Sequence, residues 1–193
     1  MNTKTFLIAL LISFSSDLFA QNIPQNDSQD DSQDKRFSIS ATAAEMIPVG
    51  DFSDFNSPET TLGLEAGYRL NKHFTLIADF AYTKLQSKGN LTYDDTPISK
   101  MIQISLGVKM GVDLSEKFYL YSKISRGIYN TNKYDPSKRI EESENDYGGA
   151  IGIGSDYTLS NGVLLFIESN YHNVSGDKGL NFLAFQGGAA INF

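Results

Sequence analysis

The sequence predicts an all-β protein: an eight-stranded antiparallel up-and-down transmembrane β-barrel. Three observations carry that reading. Apolar side chains recur at every second position in eight separate stretches, the period of a strand and not of a helix. The alternate positions hold Gly, Ala, Ser, Thr and a few charges, groups that fit inside a barrel of this size. The connections between stretches alternate between long and short, as in a chain that runs up and down a wall.

The first stretch, FSISATAAEMI from Phe37, is the least regular. In the second, Leu62, Leu64, Ala66, Tyr68 and Leu70 point one way while Gly63, Glu65, Gly67 and Arg69 point the other. After the turn Asn71-Lys72-His73, the residues Phe74, Leu76, Ala78, Phe80 and Tyr82 oppose Thr75, Ile77, Asp79 and Ala81, which makes a hairpin. In the fourth stretch Ile102, Ile104, Leu106, Val108, Met110 and Val112 alternate with Gln103, Ser105, Gly107, Lys109 and Gly111. The fifth sets Leu120, Ile124 and Ile128 against Tyr119, Tyr121, Lys123, Ser125 and Gly127. Arg126 falls on its apolar face, which places this residue near the headgroup level or at a bulge. The sixth sets Gly149, Ile151, Ile153, Tyr157 and Leu159 against Gly148, Ala150, Gly152, Gly154 and Asp156. The seventh sets Val163, Leu165, Ile167 and Tyr171 against Phe166, Glu168, Asn170 and His172. In the last, Leu183, Phe185, Ala189, Ile191 and Phe193 oppose Gln186, Gly188, Ala190 and Asn192.

Residues 48–59, 85–98, 130–146 and 174–180 read as long polar connections, and 71–73, 113–117 and 160–162 as short ones. Strands of about 11 residues, each rising about 3.3 Å and tilted by about 40°, cover the roughly 25 Å apolar band of an outer membrane. A soluble barrel would turn its apolar face inward and cover its outside with charge. The alternate face here carries too few charges for a solvent surface. Glu65, Arg69, Asp79, Lys109, Lys123, Asp156 and Glu168 are instead expected to form a polar network that fills the lumen, because buried charges persist only when paired. In hydrocarbon, a closed barrel is the only way for strands to satisfy every backbone group.

Composition fits this and excludes other classes. A net charge of -7 without a basic cluster argues against nucleic acid as a partner. The absence of cysteine excludes disulfides, thiolate metal sites and lipid attachment through Cys. Lys4 precedes the apolar run TFLIALLISF and a small residue at Ala20, the order of an export signal over residues 1–20. Residues 21–36, with the tandem DSQD at Asp27 to Asp34, read as a disordered acidic tail, leaving 37–193 for the barrel.

IPVGDFSDF (47–55), the hairpin GLEAGYRLNKHFTLIADFAY (63–82) and the terminal strand FLAFQGGAAINF ending at Phe193 resemble the small outer-membrane β-barrel proteins. That group includes the OmpA membrane domain, the OmpX/Ail group and the opacity-type adhesins. The resemblance implies short periplasmic turns, long external loops and contact with outer-membrane lipids. It also implies that Phe185, Ile191 and Phe193 are the terminal signal read by the barrel assembly machinery. An extracellular ligand would be met by the loops, of which 130–146 is the longest and 87–97 carries Tyr93-Asp94-Asp95.

A search for chemistry finds little. His73 reads as a solvated turn residue. His172, Glu168 and Ser175 hold the ingredients of a nucleophilic triad, as in lipid A acyl hydrolases, but alternation turns His172 and Glu168 inward and YHNVSG departs from the His-x-Ser-Asn spacing of those enzymes. GGAIGIG (148–154) is not G-x-G-x-x-G, and its inward glycines are expected to make room for Tyr119, Tyr121 or Phe166. No cofactor or metal set emerges. The expectation is a non-enzymatic outer-membrane barrel with a structural or surface-interaction role, set against a narrow passive pore.

Overall fold

The computed structural model describes residues 35–86, 98–135, 140–160, 162–175 and 179–193. The expected export signal, most of the acidic tail and Tyr93-Asp94-Asp95 lie outside the described residues. Eight strands form one closed sheet: β1 (Phe37–Val49), β2 (Glu59–Arg69), β3 (Phe74–Lys84), β4 (Ile98–Ser115), β5 (Phe118–Asp135), β6 (Ile140–Ser160), β7 (Val163–Ser175) and β8 (Leu180–Asn192). Each strand is antiparallel to the next, and β8 returns to β1. At the seam the Phe37 and Phe193 amides donate to each other's carbonyls at 3.0 and 2.8 Å. Their rings stack at 6.2 Å, with Tyr68 at 4.9 Å from Phe37. These rings begin an aromatic belt at the short-turn end.

The register fixes the shape. Stepping across the wall from Ile39 through Ala66, Ala78, Leu106, Arg126, Gly149, Asn173 and Asn181 returns to β1 at Val49, ten residues further along. An offset of that size over eight strands corresponds to a tilt of about 40° and a backbone radius of about 8 Å. Such a lumen is filled by side chains.

Sidedness follows the period of two. Leu62, Leu106, Ile153 and Ile167 all face out, with Leu106 70% and Ile167 68% exposed. Nothing on a soluble protein surface would hold so continuous a ring of large apolar groups exposed. Among the described residues no helix is long and apolar enough to cross a membrane, so the spanning elements are the strands.

Four details differ from expectation. The segment 130–146 is not a long loop: β5 continues to Asp135 and β6 starts at Ile140, paired to the end. Its sequence is polar at both parities and carries no alternation, so it reads as a loop. Asn130 instead donates to Ser143 Oγ and Asn145 Oδ1, both at 2.8 Å, holding the two strands together. Accordingly β4, β5 and β6 run 18, 18 and 21 residues rather than about eleven, and the connection 174–180 shrinks to 176–179. The connection after β1 contains a one-turn helix, α1 (Phe52–Phe55). Arg126 sits at no bulge: the ladder runs unbroken through Leu106, Arg126 and Gly149, and the irregularities fall at Ile98/Lys100, Asp113/Ser115 and Thr158/Ser160. Lastly, the lumen is not polar throughout. Toward the long-connection end Met46, Phe52, Leu85, Met101, Tyr129, Val174, Leu180, Phe182 and Ala184 form an apolar plug.

Candidate functional site

The most elaborate constellation lies inside the wall, below the plug. Along the sheet, like charges are neighbours: Glu65 stands opposite Asp79 on β2 and β3, and Lys109 opposite Lys123 on β4 and β5. Such pairs are unfavourable in an open sheet. Closure brings the acidic and basic pairs together across the lumen, within reach of a lysine side chain. Lys109 Nζ donates to Glu65 Oε1 at 2.6 Å, and Lys123 Nζ to Glu65 Oε2 at 3.0 Å and Asp79 Oδ1 at 3.1 Å.

Glu168, on β7, completes the cluster from a third side. It lies 3.2 Å from Lys123 Nζ and 3.9 Å from Lys109 Nζ, and its side chain is 0% exposed. Tyr121 Oη donates to its Oε2 at 2.8 Å; Asn170 and Gln186 amides donate to its Oε1 at 2.6 and 2.8 Å. Ser105 Oγ donates to Asp79 Oδ2 at 3.2 Å. Lys109 also stands over the rings of Tyr121, at 4.7 Å, and Phe166, at 5.5 Å. Each charge is thus met by several partners, the condition under which buried ions are tolerated.

Of the seven charged residues marked in the sequence, the structure gathers Glu65, Asp79, Lys109, Lys123 and Glu168. Arg69 and Asp156 line a cavity of about 50 Å³ at the short-turn mouth, together with Tyr119 and with Glu65 and Lys109 of the cluster. A second cavity, of about 40 Å³, lies above the cluster between Asp79, Gln103, Asn170 and His172. Spaces this small hold a few waters and no solute.

Glycines permit the crowding. A Cβ at Gly154 would stand 2.6 Å from the Tyr121 ring, and one at Gly188 would stand 2.8 Å from that of Phe166. Only Tyr121 of the three expected rings uses the 148–154 stretch; Tyr119 lies against Gly111.

The two histidines are both held. His73 Nδ1 donates to the Gly111 carbonyl at 3.0 Å, so this half-exposed turn residue also clamps the turn. His172 is buried, bonded through Nδ1 to Tyr129 Oη at 2.9 Å and stacked on Phe182 at 4.3 Å. Ser175 is exposed on the opposite face of β7, so the two cannot join in a triad. Among the described residues no group of three His, Asp or Glu side chains has the geometry to hold a metal ion. Phe185, Ile191 and Phe193 all face outward, at 50%, 59% and 59% exposure. Asn170 and Gln186, which donate to Glu168, carried no signal in the sequence beyond their inward parity, and Tyr121 was marked there as an inward ring and not as a donor to Glu168.

Several solved barrels share this architecture. Neisserial surface protein A superposes with a TM-score of 0.63 at 17% identity, covering 81% of this chain and 97% of that chain. Ail, the attachment invasion locus protein of Yersinia pestis, gives 0.56 at 19% identity, covering 82% and 98%. The N-terminal β-barrel domain of Pseudomonas aeruginosa OprF gives 0.51 at 15% identity, covering 81% and 97%. At these identities the likeness shows the fold alone. No curated relative matches the chain. Residues 6–193 match the family described as outer membrane protein beta-barrel domain, and with nearly the whole chain so matched, this protein belongs to that family of outer-membrane β-barrels.

Proposed function

We propose that the barrel is a surface-interaction protein of the bacterial outer membrane, with a sealed lumen that serves as its structural keel. The observation that carries this reading is the sheet standing beyond the wall. The last β6–β7 pair is Tyr147 with Ser175, whereas β5–β6 pairing continues to Asp135 with Ile140 and β4 joins it from Ile98. A rigid, paired hairpin presents a fixed face to a partner at little ordering cost, which a floppy loop does not. That one structural relative, Ail, is named for attachment and invasion supports the same direction.

The charged cluster and apolar plug favour this reading over a passive pore, since an open aqueous channel needs about sixteen strands. The outward stripe of Phe185, Ile191 and Phe193 is suited to recognition by the barrel assembly machinery before insertion. The test compares cells displaying the full barrel with cells displaying one in which residues 133–142 are replaced by a two-residue turn. Attachment to host-cell monolayers is expected to fall to the level of cells lacking the protein, while heat-modifiable gel mobility stays unchanged. Undiminished attachment by the trimmed barrel would refute the proposal.

A further inference from the structure

We infer that the outer wall carries a binding site for the phosphate of a lipid headgroup, built around Arg126. This residue faces outward and is exposed, between the apolar side chains of Ile124 and Ile128 on the same strand. No ion pair or hydrogen bond of Arg126 falls among the described residues. The other outward charge at this depth, Glu45, is on β1, four strands away round the barrel. A cation on the lipid face near mid-barrel costs about 2–4 kcal/mol, falling toward zero at the interface, so the site is explained only if the guanidinium reaches upward to an anion.

The wall provides that route. Arg126, Gly149, Asn173 and Asn181 form one cross-strand row. The row climbs toward the long-connection end by roughly 3 Å per strand at a tilt of about 40°. Next to Arg126 stands Gly149, whose missing side chain leaves a groove lined by Leu106, Ile124, Arg126, Tyr147, Asn173 and Ser175. A long arginine stem can lie along this groove and place its head at the upper rim.

The rim offers the donors a phosphate needs. Asn173 spends one amide hydrogen on Asn181 Oδ1, at 2.6 Å, and keeps the second. Ser175 and Tyr147 add hydroxyls, Tyr147 at 64% exposure. Below, Leu106 and Ile124 give acyl chains a surface, 70% and 53% exposed. A fork of guanidinium donors above an apolar floor matches a phosphorylated lipid of the outer leaflet, such as lipid A, rather than a free ion.

The intact barrel, held in phosphatidylcholine nanodiscs, is offered bisphosphorylated lipid A or its dephosphorylated form, and retained lipid is counted by native mass spectrometry. The wild type should retain the phosphorylated lipid about tenfold better, the factor one charge-assisted hydrogen bond supplies. Arg126→Gln should erase the preference and Arg126→Lys should keep part of it. Ser175→Leu, which narrows the rim and leaves Arg126 in place, should weaken retention and decides the matter if Arg126→Gln does not fold. Equal retention of both lipids by the wild type, an undiminished preference in Arg126→Gln, or displacement by the same concentration of inorganic phosphate would each overturn the proposal.

Discussion

The two levels of the lumen solve the same packing problem with opposite chemistry. Near the short-turn half, five charged side chains from five strands meet at 2.6–3.9 Å and draw hydrogen bonds from Tyr121, Asn170 and Gln186. Toward the long connections, Met46, Met101, Tyr129 and Phe182 pack without charge, capped by Phe52 of α1. His172 marks the border, bonded to Tyr129 and stacked on Phe182. The difference teaches that outside lipid does not dictate what fills an eight-stranded barrel. A polar level gives geometric specificity, because like charges along the sheet are satisfied only when the wall closes at the correct offset. An apolar level gives a seal, because it needs no exact partner.

Breaking the polar level should be the costliest change. Lys123 meets Glu65, Asp79 and Glu168, and Lys123→Met leaves three carboxylates in one crowded space. We expect a loss of about 3–5 kcal/mol in urea titrations of the vesicle-embedded barrel. A loss below about 1 kcal/mol, the scale of an exposed pair, would remove the cross-lumen role from the comparison.

Phe182→Ala tests the apolar level and should cost about 3 kcal/mol by opening a cavity under His172 and Tyr129. Because no hydrogen bond among the described residues joins the two levels, combining it with Lys123→Met should give additive losses to within about 0.5 kcal/mol. Marked non-additivity would merge the two levels into one. Smaller still, Tyr121→Phe removes the 2.8 Å bond to Glu168 and keeps the ring beside Gly154, for a loss of about 1–3 kcal/mol.

The outward face was legible in the sequence because hydrocarbon imposes a strict period of two. Leu62, Ile104, Ile153 and Ile191 obey it, and the strand count and hairpin order followed from them. Where that pressure ends, so did legibility. Asn130 to Asp146 is polar at both parities, and nothing in NTNKYDPSKRIEESEND separates a paired hairpin from a loop. The seven inward charges were legible as a set, yet not their grouping. Whether Lys123 meets Glu168 or Asp156 depends on the ten-residue offset round the wall, which no single hairpin reveals. The plug went unread because Met46, Met101 and Phe182 are isolated apolar residues on faces otherwise small or polar. Arg126 was visible as an exception, and its setting beside Gly149 required the cross-strand register.

The central claim, that large apolar groups look out at lipid while the alternate residues look into a packed lumen, has one direct test. The chain contains no cysteine, so single cysteines placed in turn from Ile102 to Val108 carry one nitroxide label each without ambiguity. In bilayers, labels at Ile102, Ile104, Leu106 and Val108 should be relaxed strongly by oxygen dissolved in the acyl chains, while those at Gln103, Ser105 and Gly107 should be shielded from oxygen and from water-soluble nickel complexes alike. Strong oxygen contact at the odd-numbered positions with shielding at the even-numbered ones would mean that the wall faces the other way, and would contradict the account.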